Sequence, residues 1–448
     1  MTGFAHVQDS RLLRHLFSTP VMAEVFSDTR SLKSWLDVEA ALAQVQAGLS
    51  IIPDEAATAI CKACSADHFN LDDLGEQLAK ASHPLTPVIA AIEQKSGEHG
   101  QYVHFGATTQ DIMDTGLVLQ MRDGLDEIIT SHDRLVAAFI AQSKRWRALP
   151  MAGRTHGQHA VPITLGLKFA LLATETSRHL SRFKQIRTRL PVQFAGAAGT
   201  LATLGDKAAD VRAALAKLLD LKDPEESWHT ARDLVANMVT QLAMSAATCG
   251  KVASEIVNLQ RSEIGEMAEG AAPGAGGSST MPQKRNPMNA QNIAALARLM
   301  TARPGLAIEA MMHEHERDMT CWTMEWAVVP ESFIYAHAAL EQTTRLIANI
   351  QVNEQRIAQN LASSGGLICS EAVMMDLAAD MGRNEAHHAI AEIIATAHET
   401  GSSFAGALNA DARISKLRTP AQIANLLDPD NYLGQSVQIV DRIVRELE

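Results

Sequence analysis

Four short segments of this 448-residue chain concentrate side chains able to move protons or hold anions. The richest is 270–287, where glycines at 270, 274, 276 and 277 precede Ser278, Ser279, Lys284, Asn286 and Pro287. Glycines free the backbone, and a loop of this kind can close over a ligand. A serine in it becomes a base if the closed site stabilises its alkoxide. Lys284 favours an anion, and so does a helix starting after Pro287. A phosphate-cradling P-loop fits poorly, because the lysine is misplaced and no strand precedes it. A plain Gly-Ser linker stays open as the bland alternative.

The second segment, 153–162, carries Arg154, Thr155, His156, Gln158 and His159. It lies between two long helical patterns and reads as a loop or helix start. A histidine titrates near neutrality and suits proton transfer. Two histidines three apart are also candidate metal ligands, but no neighbouring carboxylate or cysteine completes a set. A capping loop with hydrogen-bonded histidines is equally open. The third segment, 102–111, contains His104 and the pair Thr108-Thr109 just before a long helix. It suits either an N-cap or a carboxylate ligand, the cap being the simpler reading. The fourth, 313–318, reads His-Glu-His-Glu-Arg-Asp and is followed by Trp322 and Trp326. Glu314 reads as part of a solvated helix turn. Arg317 is suited to bidentate pairing with a carboxylate, and the two indoles, four apart, form an apolar wall on one helix face.

Long helices must position these segments. No proline lies between positions 87 and 150, 162 and 191, 224 and 273, or 330 and 420. Proline in a helix interior costs about 3 kcal/mol, so such gaps permit long helices. Leu234, Met238, Leu242, Ala246, Val252, Ile256, Leu259 and Ile264 recur mostly at steps of three or four, as on one buried helix face. Strand signals are nearly absent, since aromatics make up only 4% and alternating β-branched runs are missing. The pattern predicts an all-α fold with long helices over 114–148, 164–189, 227–268, 289–302 and 331–362 in one bundle. Smaller helical stretches would flank it. Alanine-rich helices with more than one apolar face favour a homo-oligomer over a monomeric bundle.

Net charge is −12 with no basic block, which argues against a nucleic-acid partner but not against a small anionic substrate. No apolar run reaches the roughly 20 residues of a membrane span, and no basic-then-apolar leader is present. The five cysteines (Cys61, Cys64, Cys249, Cys321 and Cys369) are scattered and odd in number, consistent with a cytoplasmic chain without disulfides. Cys61 and Cys64 read as ordinary helix-face thiols.

The four segments, in this order, resemble the fumarase/aspartase superfamily. The string Gly-Ser-Ser-x-Met-Pro-x-Lys-x-Asn at 277–286 matches its signature, and the likeness covers nearly the whole chain. The resemblance implies a three-domain helical subunit: an N-terminal domain over 1–111, a central helical bundle over 112–363 and a C-terminal domain over 364–448. It implies a homotetramer whose active sites combine segments of three subunits, and chemistry needing no metal or organic cofactor. That chemistry is removal of a proton next to a carboxylate, followed by loss of a group from the neighbouring carbon. Ser278 would be the base and His156 a candidate general acid. Lys284 and Asn286 would hold the carboxylate that takes up charge. Thr108, Thr109, Thr155 and Gln158 would bind substrate carboxylates, with His104 and Arg154 also at the site.

Within the superfamily the chain is most similar to the branch of adenylosuccinate lyases and 3-carboxy-cis,cis-muconate cycloisomerases. Adenylosuccinate lyases place an arginine, a serine and a second arginine around a nucleotide phosphate. The corresponding positions here are Arg317, Trp322 and Trp326, and an indole offers one donor and no charge. The Arg-Tyr pair of those lyases falls at Leu16-Phe17, their His-Asp at Thr86-Pro87 and their histidine-partnering glutamate at Gln291. Losing charged donors disfavours a nucleotide phosphate. The resemblance therefore implies a cycloisomerase acting on a small polycarboxylate. The alternatives are a C–N lyase releasing fumarate from an N-substituted or nitro succinate, favoured by His156, and, more remotely, a non-enzymatic structural homologue.

Overall fold

The computed structural model describes residues 6–270, 281 and 283–448. Six helices matter for the site: α1 (Asp28–Gly48), α2 (Thr109–Arg145), α3 (Leu165–Arg187), α4 (Asp233–Leu259), α5 (Met288–Thr301) and α6 (Met319–Ala348). Helices dominate the fold, as the proline gaps predict. α2, α3 and α5 fall within a few residues of the ranges expected for them.

The departures have physical causes. α6 starts before Pro330 and carries it in its interior. The missing N–H costs about 3 kcal/mol. Burial of Val328, Val329, Phe333 and Ile334 on either side of the proline offsets it. The same stretch then stops at Ala348, and a separate helix, Glu354–Ala362, restarts at an Asn353 cap whose side chain accepts from the Arg356 N–H. α4 is shorter than 227–268 at both ends; after Leu259 the chain turns through Gly265, whose φ is +62°.

Strands are present where none was expected. β1 (Pro150–Thr155) and β2 (Gln158–Thr164) form an antiparallel hairpin, so 153–162 is neither a loop nor a helix start. Thr155 pairs with Gln158, leaving the two-residue turn His156-Gly157 with φ of +52° and +77°. Two positive φ values match the right-handed twist of a tight hairpin. Gly153 sits at a bulge, and a Cβ there would lie 2.7 Å from the Val161 carbonyl oxygen. β3 (Met267–Ala268) pairs with β4 (Gln351–Val352).

The chain forms two compact units, and their division falls inside each of the five helices α2 to α6. The first comprises Met1–Asp133, Arg178–Gly250 and Asn292–Glu341; the second comprises Arg134–Ser177, Lys251–Gln291 and Gln342–Glu448. In the first, Leu32, Leu36, Leu42, Ile60, Val88, Ile112 and Trp322 share one apolar core. Buried polar bonds tie its long helices: His132 of α2 to Ser245 of α4 at 2.8 Å, His179 of α3 to Thr248 of α4 at 3.0 Å, and Ser131 of α2 to His337 of α6 at 3.0 Å. The second unit has a core at Leu377, Ile390, Phe404 and Leu408. All five cysteines are free thiols. Among the described residues no single helix is long and apolar enough to cross a membrane.

Candidate active site

In the first unit, the segment holding Thr108 and Thr109 is fixed by a buried carboxylate. Asp111 is fully buried and accepts the backbone N–H groups of Thr108 (2.9 Å), Ala195 (3.0 Å) and Gly196 (2.9 Å) and Nε2 of His229 (2.8 Å). An acid in the first turn suits the positive end of a helix. Because Asp111 serves that end, the segment's distinctive offering is its hydroxyls. Thr109 Oγ1 lies 3.3 Å from Nε2 of His83. Burial, then the Arg317 charge, holds His83 below the usual histidine range.

Between Thr109 and Asp111, Gln110 organises the fourth segment. Its Oε1 accepts from Nε of Arg317 at 2.9 Å, while its Nε2 donates to Asp114 at 3.1 Å and to the His229 carbonyl at 3.0 Å. Arg317 also donates through Nη2 to the Ala197 carbonyl at 3.0 Å. Two donors are thereby committed, which fixes the plane of the guanidinium.

Trp322 and Trp326 divide the work expected of them jointly. Trp322 is only 1% exposed, and its indole N–H donates to Asp114 at 2.9 Å. Asp114 in turn meets Arg232 through two hydrogen bonds of 2.7 and 3.1 Å, and Arg232 pairs with Glu325. The Trp322 donor is thus engaged by Asp114, and its ring lies in the core. Trp326 is half-buried, edge-on to Trp322 at 5.0 Å between ring centres. It lines a cavity of about 240 Å³ with Phe26, Trp35, Pro84 and Met113. Glu314 is exposed, as a solvated turn requires.

In the second unit, the hairpin presents Thr155, His156 and Gln158 at its exposed tip. Arg154 differs. Its two terminal nitrogens lie 2.8 and 2.6 Å from the carboxylate oxygens of Glu266, which is fully buried, and Asn360 donates to the same carboxylate at 2.8 Å. Its fork is matched to Glu266, which anchors the hairpin.

Lys284 is exposed and Asn286 half-buried just before α5. The start of α5 does not await an anion, because Glu269 occupies it, accepting from the N–H groups of Asn289 (3.1 Å) and Ala290 (3.2 Å). Gln260 bridges the two ends of the Gly-rich segment: Oε1 accepts from the Glu269 N–H at 3.0 Å, and Nε2 donates to the Arg285 carbonyl at 3.2 Å. Gln291 is exposed. Ser278 and Ser279 lie outside the described residues. Among the described residues no cluster of three metal-binding side chains occurs.

Residues 15–300 match the family described as "Lyase", and 366–443 match "Adenylosuccinate lyase C-terminus". The first match spans more than half of the chain.

The chain belongs to the lyase family.

Within it the protein is a lyase of the fumarase/aspartase superfamily. Its similarity to a 3-carboxy-cis,cis-muconate cycloisomerase of Pseudomonas aeruginosa is 39% identity, covering 98% of this chain and 97% of the relative. An N-acetyl-S-(2-succino)cysteine lyase of Enterococcus italicus is 36% identical over the same shares, 98% and 97%. The crystal structure of the 3-carboxy-cis,cis-muconate lactonizing enzyme of Pseudomonas putida superposes with a TM-score of 0.91 at 36% identity, covering 98% of this chain and 99% of that one.

Sequence reasoning about this lyase missed His83, Glu266 and Glu269. Each reveals its role only through a partner: Thr109 lies 26 positions from His83, Arg154 lies 112 from Glu266 and Asn289 lies 20 from Glu269. For His83 a weak signal existed, a ring placed directly before Pro84 in the turn leading to the helix Thr86–Lys95.

Proposed function

We propose that this lyase is a cycloisomerase that interconverts 3-carboxy-cis,cis-muconate and 4-carboxymuconolactone, in the breakdown of aromatic acids. The observation that carries the reading is the fourth segment. Arg317 is its one guanidinium, held by Gln110 and Ala197, while Trp322 is sealed in the core and Trp326 walls a mostly apolar cavity that Asp28 and Asp114 also line. That surface suits a small polycarboxylate and lacks the charge a nucleotide phosphate needs. The cycloisomerase relative and the lactonizing-enzyme structure support the same choice.

In the lactonizing direction a substrate carboxylate oxygen adds to the neighbouring double bond, and a proton is delivered to the adjacent carbon. The reverse removes that proton and breaks the C–O bond, so no atom is gained or lost. Ser278 takes the proton. Lys284 and Asn286 stabilise the charge that moves onto the adjacent carboxylate. Thr108, Thr109, Thr155 and Gln158 hold the remaining carboxylates, and a cytoplasmic homotetramer completes each site.

A second reading rests on His156, exposed at the hairpin tip and suited to protonating a leaving group. It makes the protein a lyase that eliminates an amine or a thiol from a substituted succinate to leave fumarate. The succinocysteine lyase relative supports it. Purified protein mixed with 3-carboxy-cis,cis-muconate is expected to bleach the diene absorbance. No bleaching, together with fumarate release from S- or N-succinyl compounds, would replace the first reading with the second.

A further inference from the structure

α1 buries an apolar face of Leu32, Leu36, Val38, Leu42 and Val45, and in the middle of that face stands Glu39, 1% exposed. A carboxylate taken from water without a partner is expensive, so its partner defines its purpose. That partner is Nδ1 of His104, 2.6 Å from Glu39 Oε1, a separation typical of a charge-assisted bond. His104 has a φ of +58°, a conformation that side-chain-bearing residues rarely adopt unless held. Two turns along α1, Gln46 is fully buried and donates to the Phe105 carbonyl at 2.6 Å. α1 thus grips two successive residues of the segment that leads into Thr108 and Thr109.

We propose that Glu39 is a positioning residue that keeps His104 doubly protonated and turns its Nε2–H outward as a charged donor to an anionic group of the substrate, beside Thr108 and Thr109. The inference rests on reading that segment as a carboxylate-binding site. A neutral imidazole that donates from Nδ1 to Glu39 leaves Nε2 as an acceptor, which repels a carboxylate. Only the imidazolium donates at both nitrogens. The His104 side chain keeps 15% exposure, while that of Glu39 keeps 1%. The groups facing the ring agree with this state. Burial pulls its pKa down, but Glu39 on α1, Asp111 on α2 and Glu93 on the helix Thr86–Lys95 raise it, and the net shift is upward. Cys64 also feels Glu39: burial, and then Glu39, Cys61 and Asp37, push its thiol well up, so it stays neutral.

The test uses Glu39→Gln, Glu39→Asp and His104→Asn in the full-length protein. Histidine ring NMR of the ligand-free enzyme, with His104 assigned by its loss in H104N, is expected to give a midpoint above the ordinary value of about 6.5. In E39Q the midpoint should fall by about one pH unit or more, with partial recovery in E39D. Binding of tricarballylate, a small tricarboxylate, should weaken about tenfold or more as pH rises through the His104 midpoint. In E39Q that break should move to lower pH. An unmoved midpoint in folded E39Q and E39D would overturn the positioning role, and a pH-independent affinity in the wild type would overturn the donor role. The expected titrations without turnover of 3-carboxy-cis,cis-muconate would support the inference and count against the cycloisomerase reading alone.

Discussion

Arg154 and Glu266 meet fork to fork, through two hydrogen bonds of 2.8 and 2.6 Å, with the carboxylate fully buried. This pair joins β1 to the residue just before β3, so it sets where the hairpin stands. Arg154→Ala leaves a buried charge with Asn360 as its remaining hydrogen-bonding neighbour, and is expected to cost about 3–5 kcal/mol in urea unfolding. The double variant Arg154→Ala/Glu266→Gln should recover part of that loss. A double variant no more stable than the single one would show that the uncompensated charge is not the cause.

His132 predicts acid sensitivity. Its Nδ1 donates to the Ile128 carbonyl at 2.7 Å and its Nε2 accepts from Ser245 at 2.8 Å. Burial, with smaller contributions from His179 and His337, lowers its pKa to about 4. Above the unfolded value of about 6.5 the ring is neutral in both states and adds no pH dependence. Between about 6.5 and 4 the unfolded chain binds a proton that the folded one refuses, so stability falls as pH falls, by about 3 kcal/mol across the window. Urea midpoints measured from pH 7 to 4 should show this slope, and His132→Gln should flatten it. An equal slope in the variant would assign the acid sensitivity to other groups.

Ser278→Ala addresses the chemistry directly. Turnover should drop by roughly two to four decades, the range for a proton-transfer group. Circular dichroism and the elution volume on gel filtration should stay unchanged. Surviving activity would point to Ser279 or His156 as the base.

How far the sequence carried depended on the range of the interaction. α2, α3 and α5 follow from proline spacing and apolar period, which are local. Pro330 misled because its cost is local while the burial around it is tertiary. The hairpin was hidden because Pro150, Gly153 and Pro162 interrupt the alternation that marks strands, and the His-Gly turn is a less familiar form of the Asn-Gly signal. Arg154 and the start of α5 looked available to a substrate; Glu266 and Glu269 supply the carboxylates that engage them, and sequence spacing does not reveal such pairs. Glu39 is legible in the sequence: positions 39, 42 and 46 share a helix face, and an acid beside Leu42 on a buried stripe asks for a partner.

The His156-Gly157 turn has a consequence for how this scaffold acquires new reactions. The backbone there is held by the Thr155–Gln158 pairing and by a glycine, and the His156 side chain projects into the open. A change of side chain at 156 therefore costs the fold little beyond the mild penalty of a positive φ. The acid–base character of the tip can be rewritten in one mutational step while the helices beneath it stay as they are. A lactone-forming enzyme and a fumarate-releasing one would then be near neighbours in sequence space.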